Sequence, residues 1–132
     1  MASKSKTASK DAYSLDDTGA QDRVEAPAMP YQPPRPQAYT PRIGLIGCGG
    51  ITTQHLTAYQ QAGYEVVALT DLERERAEAR RDAFFPDATI ESSADDLLAR
   101  ADVQIVDLAL HPAERAELLL SAIDAGKHVL SQ

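Results

Sequence analysis

Apolar and polar positions follow two different patterns along this 132-residue chain. Through residues 1–41 the apolar side chains are scattered without a period. From Arg42 onward, short apolar runs alternate with segments whose apolar positions recur every three or four residues, the pattern of strands and helices in turn. Ile43-Gly44-Leu45-Ile46 is the first run, and it stops in Gly47-Cys48-Gly49-Gly50. Ile51, His55, Leu56, Tyr59 and Ala62 follow at helical spacing, and Gly63 is placed to end that helix. Glu65 to Thr70 reads as a second strand. Leu72 to Phe84 reads as a charged helix supported by the pairs Arg74–Glu78, Glu73–Arg76 and Glu78–Arg81.

Pro86 breaks that helix, and Ala88-Thr89-Ile90 reads as a short strand. Ser93 with Asp96 forms a capping pattern for a helix through Arg100. Val103 to Leu110 is almost continuously apolar, as a parallel strand covered on both faces requires. Pro112 suits the first turn of a further helix, with Ala116, Leu119, Leu120 and Ile123 as its core face and Gly126 at its end. His128-Val129-Leu130 begins a fifth strand. Strict alternation of strand and helix predicts a doubly wound α/β domain, a parallel sheet of about five strands in the order 3-2-1-4-5.

Residues 1–41 contain six of the eight prolines, and their five basic and five acidic side chains cancel. Such a segment buries too little apolar surface to offset the entropy of ordering it, so a disordered tail is expected there, with the folded domain at 42–132. The whole net charge of −7 then belongs to the domain. An acidic domain with no basic stripe is poorly suited to nucleic acid, where neutralising phosphates supplies most of the affinity, and equally to anionic membranes. No apolar run approaches the ~18 residues of a membrane span, and no hydrophobic stretch follows the lysines of the N-terminus. Cys48 is the only cysteine, which leaves no disulfide framework and no paired-cysteine metal site. A cytoplasmic location is the simplest expectation.

The candidate chemistry lies in Gly47-x-Gly49-x-x-Thr52, between the first strand and its helix. The first glycine permits the tight turn, and the second lets backbone approach a pyrophosphate. The helix that begins near Ile51 points free N–H groups at Gly50, Ile51 and Thr52, and the positive end of its dipole, toward the phosphates. Thr52 stands where Gly or Ala is usual, and its hydroxyl is a candidate phosphate ligand. Asp71 lies 22 residues beyond Gly49 at the carboxyl end of the second strand, placed to accept both hydroxyls of an adenosine ribose. Its charge repels a 2′-phosphate and so favours NAD over NADP, with Arg74, one turn on, as the residue that could serve a 2′-phosphate instead. This is the arrangement of a Rossmann dinucleotide site.

Among the remaining residues, His111 sits at the carboxyl end of the fourth strand, on the ligand-binding edge of such sheets. His55 and His128 read as packed structural residues, and Cys48 as a small apolar filler. Asp95, Asp96 and Asp102 show no metal-ligand pattern. A methyltransferase domain is a remote alternative, because its usual Gly-x-Gly-x-Gly would need a glycine at Ile51.

The runs IGLIGCGGITTQHLTAYQQAG, VVALTD, VQIVDLALHP and AIDAGKHVLSQ also resemble the amino-terminal domain of the glucose–fructose oxidoreductase and inositol dehydrogenase (Gfo/Idh/MocA) family, over about residues 42–132. The resemblance implies an NAD(P)-dependent oxidoreductase of sugars, cyclitols or similar polyols, whose second domain supplies most of the substrate site. The family's usual Thr-Pro aligns with Leu110-His111, a frequent His with Arg115, and its Cys-Glu with Ser131-Gln132. Gln132 is therefore a candidate contact near the nicotinamide ribose. The family's Lys-Pro would follow Gln132, so the chain by itself is expected to bind cofactor without turning over a polyol, and to self-associate through its uncovered sheet edge. A non-catalytic NAD-binding or regulatory module is the second reading.

Overall fold

The computed structural model describes residues 25–132. The chain divides into two units, Met1–Pro34 and Arg35–Gln132. The tail expected over residues 1–41 lies outside the described residues as far as residue 24; residues 25–40 are exposed and carry neither helix nor strand.

The second unit alternates strand and helix: β1 (Arg42–Ile46), α1 (Thr52–Ala62), β2 (Glu65–Thr70), α2 (Arg74–Phe84), β3 (Thr89–Ile90), α3 (Ala94–Leu98), β4 (Ile105–Leu108), α4 (Pro112–Asp124) and β5 (His128–Ser131). The sheet is parallel throughout, in the expected order β3-β2-β1-β4-β5. Because side chains alternate along a strand, β1 sends Ile43 and Leu45 to one face and Ile46 to the other. Leu56 of α1 and Ala77 of α2 cover the first face, together with Val66 and Leu69. Leu97 and Leu98 of α3 and Ala122 of α4 cover the second, with Val106 and Leu108. The sheet is thus wound on both sides, and every β-to-α turn falls at its carboxyl edge.

The helix ends follow the local signals. Gly63 adopts φ 73° after α1, and Tyr64 N–H returns to the Tyr59 carbonyl at 2.9 Å, so carbonyls of the last turn are satisfied. Ser93 Oγ accepts from Asp96 N–H at 3.1 Å at the start of α3, as the capping pattern requires. Arg74–Glu78 (2.8 Å) and Arg76–Glu73 (2.9 Å) pair as expected, whereas Arg81 pairs with Asp82 at 2.7 Å, because Arg74 already engages Glu78.

One expectation is corrected. Helix α4 turns Ala122 fully inward with Leu118 and Leu119 half-buried, while Ala116 is exposed and Leu120 and Ile123 are 61% and 53% exposed. The run Leu118-Leu119-Leu120 offers two adjacent helical stripes, and pattern alone does not choose between them. The start of the helix at Pro112 sets the phase, and Arg115 folds back onto the Leu110 carbonyl at 2.9 Å on the inward side. Ala122→Leu should therefore overpack the core and cost about 1–3 kcal/mol. Leu120→Gln should stay within about 0.5 kcal/mol of the parent. Denaturant melts of the two variants check this, and the reverse ranking would restore the other stripe.

Candidate cofactor site

The site is built on the turn from β1 into α1. Gly47 leaves the strand with φ 90° and donates to the Thr70 carbonyl at 2.9 Å. A Cβ there would lie 2.5 Å from the Ala109 carbonyl oxygen and 2.7 Å from Leu110 Cδ2, so only glycine passes between β1 and the end of β4. The N–H groups of Gly49, Gly50 and Ile51 donate to no acceptor among the described residues. A Cβ at Gly49 or Gly50 would meet no protein atom within 4 Å. The first turn of α1 contains no acidic residue, and no side chain caps it, so the positive end of its dipole is left uncompensated by the protein. Three free donors at an uncompensated helix N-terminus, flanked by glycines, fit a pyrophosphate.

Thr52 is turned away from that position. Its buried hydroxyl donates to the Gly49 carbonyl at 2.6 Å, and its backbone N–H reaches the same oxygen at 3.3 Å. Arg80 of α2 ties the loop from outside, reaching Thr52 Oγ1 and the Gly49 carbonyl oxygen, each at 3.1 Å. Thr52 thus shapes the loop and does not line its open side.

An open cleft of about 1250 Å³ runs along the carboxyl edge of the sheet. Gly47, Gly49, Gly50 and Ile51 form its middle; Asp71, Glu73 and Arg76 line one end, and His111, Arg115 and Gln132 the other. Asp71 Oδ2 accepts Cys48 N–H and its Oδ1 accepts Glu73 N–H, both at 2.7 Å. These two bonds hold the carboxylate at the rim of the glycine loop, and each oxygen keeps a lone pair for a further donor. His111 is the exposed N-cap of α4, and its side chain makes no capping bond. Gln132 is anchored by its N–H to the Leu108 carbonyl at 3.2 Å.

Pattern reading of Val103–Leu110 as an apolar strand passed over Asp107. Its side chain is fully buried under α1, where His55 Nδ1 lies 2.8 Å and the Tyr59 hydroxyl 2.7 Å from Oδ2. Burial, reinforced by the Asp107 carboxylate, pushes the Tyr59 pKa upward, so the hydroxyl stays a donor. The signal was present in the sequence. A carboxylate inside a run covered on both faces must have polar partners, and His55 and Tyr59 lie one turn apart on the neighbouring helix.

Fold and cleft together define a dinucleotide-binding α/β domain. Residues 41–132 match the model of the Gfo/Idh/MocA oxidoreductase family, NAD-binding Rossmann fold. The inositol 2-dehydrogenase of Gluconacetobacter diazotrophicus is 39% identical over 92 residues, 68% of this chain and 27% of that protein. Among solved structures, the WlbA dehydrogenase from Bordetella pertussis in complex with NADH and UDP-GlcNAcA superposes with a TM-score of 0.65 at 32% identity, over 70% of this chain and 28% of that one. KijD10, a 3-ketoreductase from Actinomadura kijaniata in complex with NADP and TDP-benzene, superposes equally well, TM-score 0.65 at 32% identity, over 70% and 29%. The chain belongs to the Gfo/Idh/MocA oxidoreductase family, and residues 41–132 are its NAD-binding Rossmann domain. It spans little more than a quarter of the length of these relatives.

Cys48, inside the glycine loop, is free and buried. Burial and then the Asp71 carboxylate push its thiol up to about 12, against a lowering from Arg80. At pH 8 the folded chain should resist iodoacetamide while the denatured chain reacts, because only the thiolate attacks. The unfolded chain loses this proton near its ordinary value of 9.0 and the folded chain only near 12. Cys48 therefore favours folding below pH 9 and withdraws that contribution as pH rises toward 12. Alkylation as fast in the native as in the denatured chain would contradict the burial.

Proposed function

We propose that the cleft binds NAD in extended form, as the cofactor half of an oxidoreductase of sugars, cyclitols or similar polyols. The observation that carries this is the meeting of three free N–H groups at the start of α1 with a held carboxylate at the end of β2. In this reading Gly49, Gly50 and Ile51 donate to the pyrophosphate, with Gly47 and Thr52 shaping the loop that presents them. Asp71 accepts the hydroxyls of the adenosine ribose. The nicotinamide half then extends toward His111 and Gln132. Bound NAD supplies the hydride acceptor, and these residues hold and orient it. The likeness to inositol 2-dehydrogenase supports the polyol class. We place the domain in the cytoplasm, where a free thiol such as Cys48 stays reduced.

Asp71 sets the choice between NAD and NADP. Asp71→Ala removes charge-assisted bonds to the ribose, each worth ~1.5–3 kcal/mol, and ~1.4 kcal/mol is tenfold in affinity. Calorimetric titration should find NADH weakened at least tenfold and NADPH much less. Equal loss for both would mean that the carboxylate only holds Cys48 and Glu73.

Strand β5 has β4 on one side and no strand on the other among the described residues, and Leu130 on it is half-exposed. An uncovered edge of this kind presents unpaired N–H and C=O groups to which a second copy can add a strand. Light scattering of the 132-residue chain should show a concentration-dependent dimer; a monomer at every concentration would remove the idea.

A further inference from the structure

A continuous line of hydrogen bonds runs from the middle of the sheet to the rim of the cleft. It starts at Asp107, whose side chain is fully buried on β4. It passes through His55 of α1, with Nδ1 2.8 Å from Asp107 Oδ2 and Nε2 2.7 Å from Gln132 Oε1. It ends at Gln132, which lines the cleft. The Tyr59 hydroxyl donates to the same Oδ2, and Asp107 Oδ1 has no partner among the described residues. The His55 side chain is 11% exposed, so the bonds within this line largely satisfy the ring.

The chemistry of the three groups fixes their order. A carboxylate only accepts, so the ring proton sits on Nδ1 and is given to Asp107. A ring that carries this one proton has a lone pair at Nε2 that needs a donor. The two ends of the Gln132 amide occupy equivalent positions, and the ring decides which one it takes. A ring protonated only at Nδ1 takes the NH2, the amide turned over from the orientation that sets Oε1 beside Nε2, and this leaves the amide oxygen facing the cleft as an acceptor for a ribose hydroxyl. With Asp71 at the adenosine end of the cleft and the glycine loop at its middle, Gln132 lies at the nicotinamide end.

We propose that Asp107, acting through His55, orients the Gln132 amide so that its oxygen meets the nicotinamide half of the cofactor. Asp107 and His55 are positioning residues, and Gln132 makes the contact. The inference rests on the reading of the cleft as an NAD site. In Asp107→Leu the acceptor of Nδ1–H is gone, the freed Tyr59 hydroxyl can donate to Nδ1, and the ring proton moves to Nε2. Gln132 must then turn its oxygen to the ring and its NH2 to the cofactor, the consequence of a wrong histidine tautomer.

The test titrates the chain and three variants, Gln132→Ala, Asp107→Leu and the double variant, with NADH and with ADP. ADP ends at the second phosphate and so reports only the adenosine half. Each single variant should lose about tenfold for NADH, one good hydrogen bond. ADP affinity should stay within about twofold, and the double variant should be no worse than either single one. Equal loss for ADP, or losses that multiply in the double variant, would overturn the relay in favour of a structural role for Asp107. Nitrogen NMR of the unaltered chain is expected to find the ring's single proton on Nδ1. A proton on Nε2 overturns the proposal even where Asp107→Leu does not fold. Failure of the unaltered chain to bind either NADH or ADP would count against the cofactor reading instead, and the NMR result would still judge the relay.

Discussion

At Gly47 the chain leaves the central strand with φ 90°, and its α-carbon passes so close to the Ala109 carbonyl that a methyl group there would sit 2.5 Å from the oxygen. The rest of the site depends on this approach. It brings the end of β1 against the end of β4, so the glycine loop, the start of α1 and the Leu110–His111 segment share one edge. It also lets Gly47 N–H reach the Thr70 carbonyl, which places Asp71 one residue further, within 2.7 Å of Cys48 N–H. The free donors at Gly49, Gly50 and Ile51 and the carboxylate at Asp71 are thus positioned by one turn. Thr52 and Arg80 then clamp the loop through the Gly49 carbonyl without entering the cleft.

The other organising feature is the carboxylate buried in β4. A charge under α1 is costly unless it is paired and hydrogen-bonded, and Asp107 meets that demand with His55 and Tyr59, both on α1. The arrangement pins α1 to the sheet at a polar point within an otherwise apolar layer of Ile43, Leu45 and Leu56. An apolar residue in place of Asp107 would pack at least as well, but it would leave the inner nitrogen of His55 without its acceptor. The pairing therefore specifies where α1 sits, and it links the core to Gln132 at the surface.

Much of this was legible in the sequence because the relevant physics is local. Gly63 and Gly126 end helices through their own positive φ, Ser93 caps through Asp96 three residues on, and the apolar runs of β1, β2 and β4 need only their neighbours on the sheet. The strand order followed from alternation and handedness. What the pattern did not give required contacts far along the chain. The inward face of α4 depends on where Pro112 starts the helix, which an apolar run of three leucines cannot report. The inward turn of the Thr52 hydroxyl follows from the Gly49 carbonyl and from Arg80, 28 residues away. The Asp107–His55–Gln132 line joins residues separated by 52 and 77 positions, and the β1–β4 and β4–β5 pairings together bring them to one place.

The charge of the domain decides how such a site attracts a cofactor with a dianionic pyrophosphate. The net charge is −7, and the cleft is lined by Asp71, Glu73, Asp95, Glu114 and Glu117 against Arg76 and Arg115. Both arginines are already engaged, one by Glu73 and the other by the Leu110 carbonyl. The long-range field therefore opposes the ligand, and attraction is left to backbone N–H groups and the helix dipole, which act within hydrogen-bonding distance. Such donors cost no side-chain entropy to hold in place, and they fit two phosphates in one geometry. At physiological ionic strength the opposing field is screened beyond ~8 Å, while the contacts at the loop are not. A third phosphate gains nothing from them. In the proposed reading it would meet Asp71 and Glu73 at close range, and this local repulsion, more than the overall charge, would turn the cleft toward NAD.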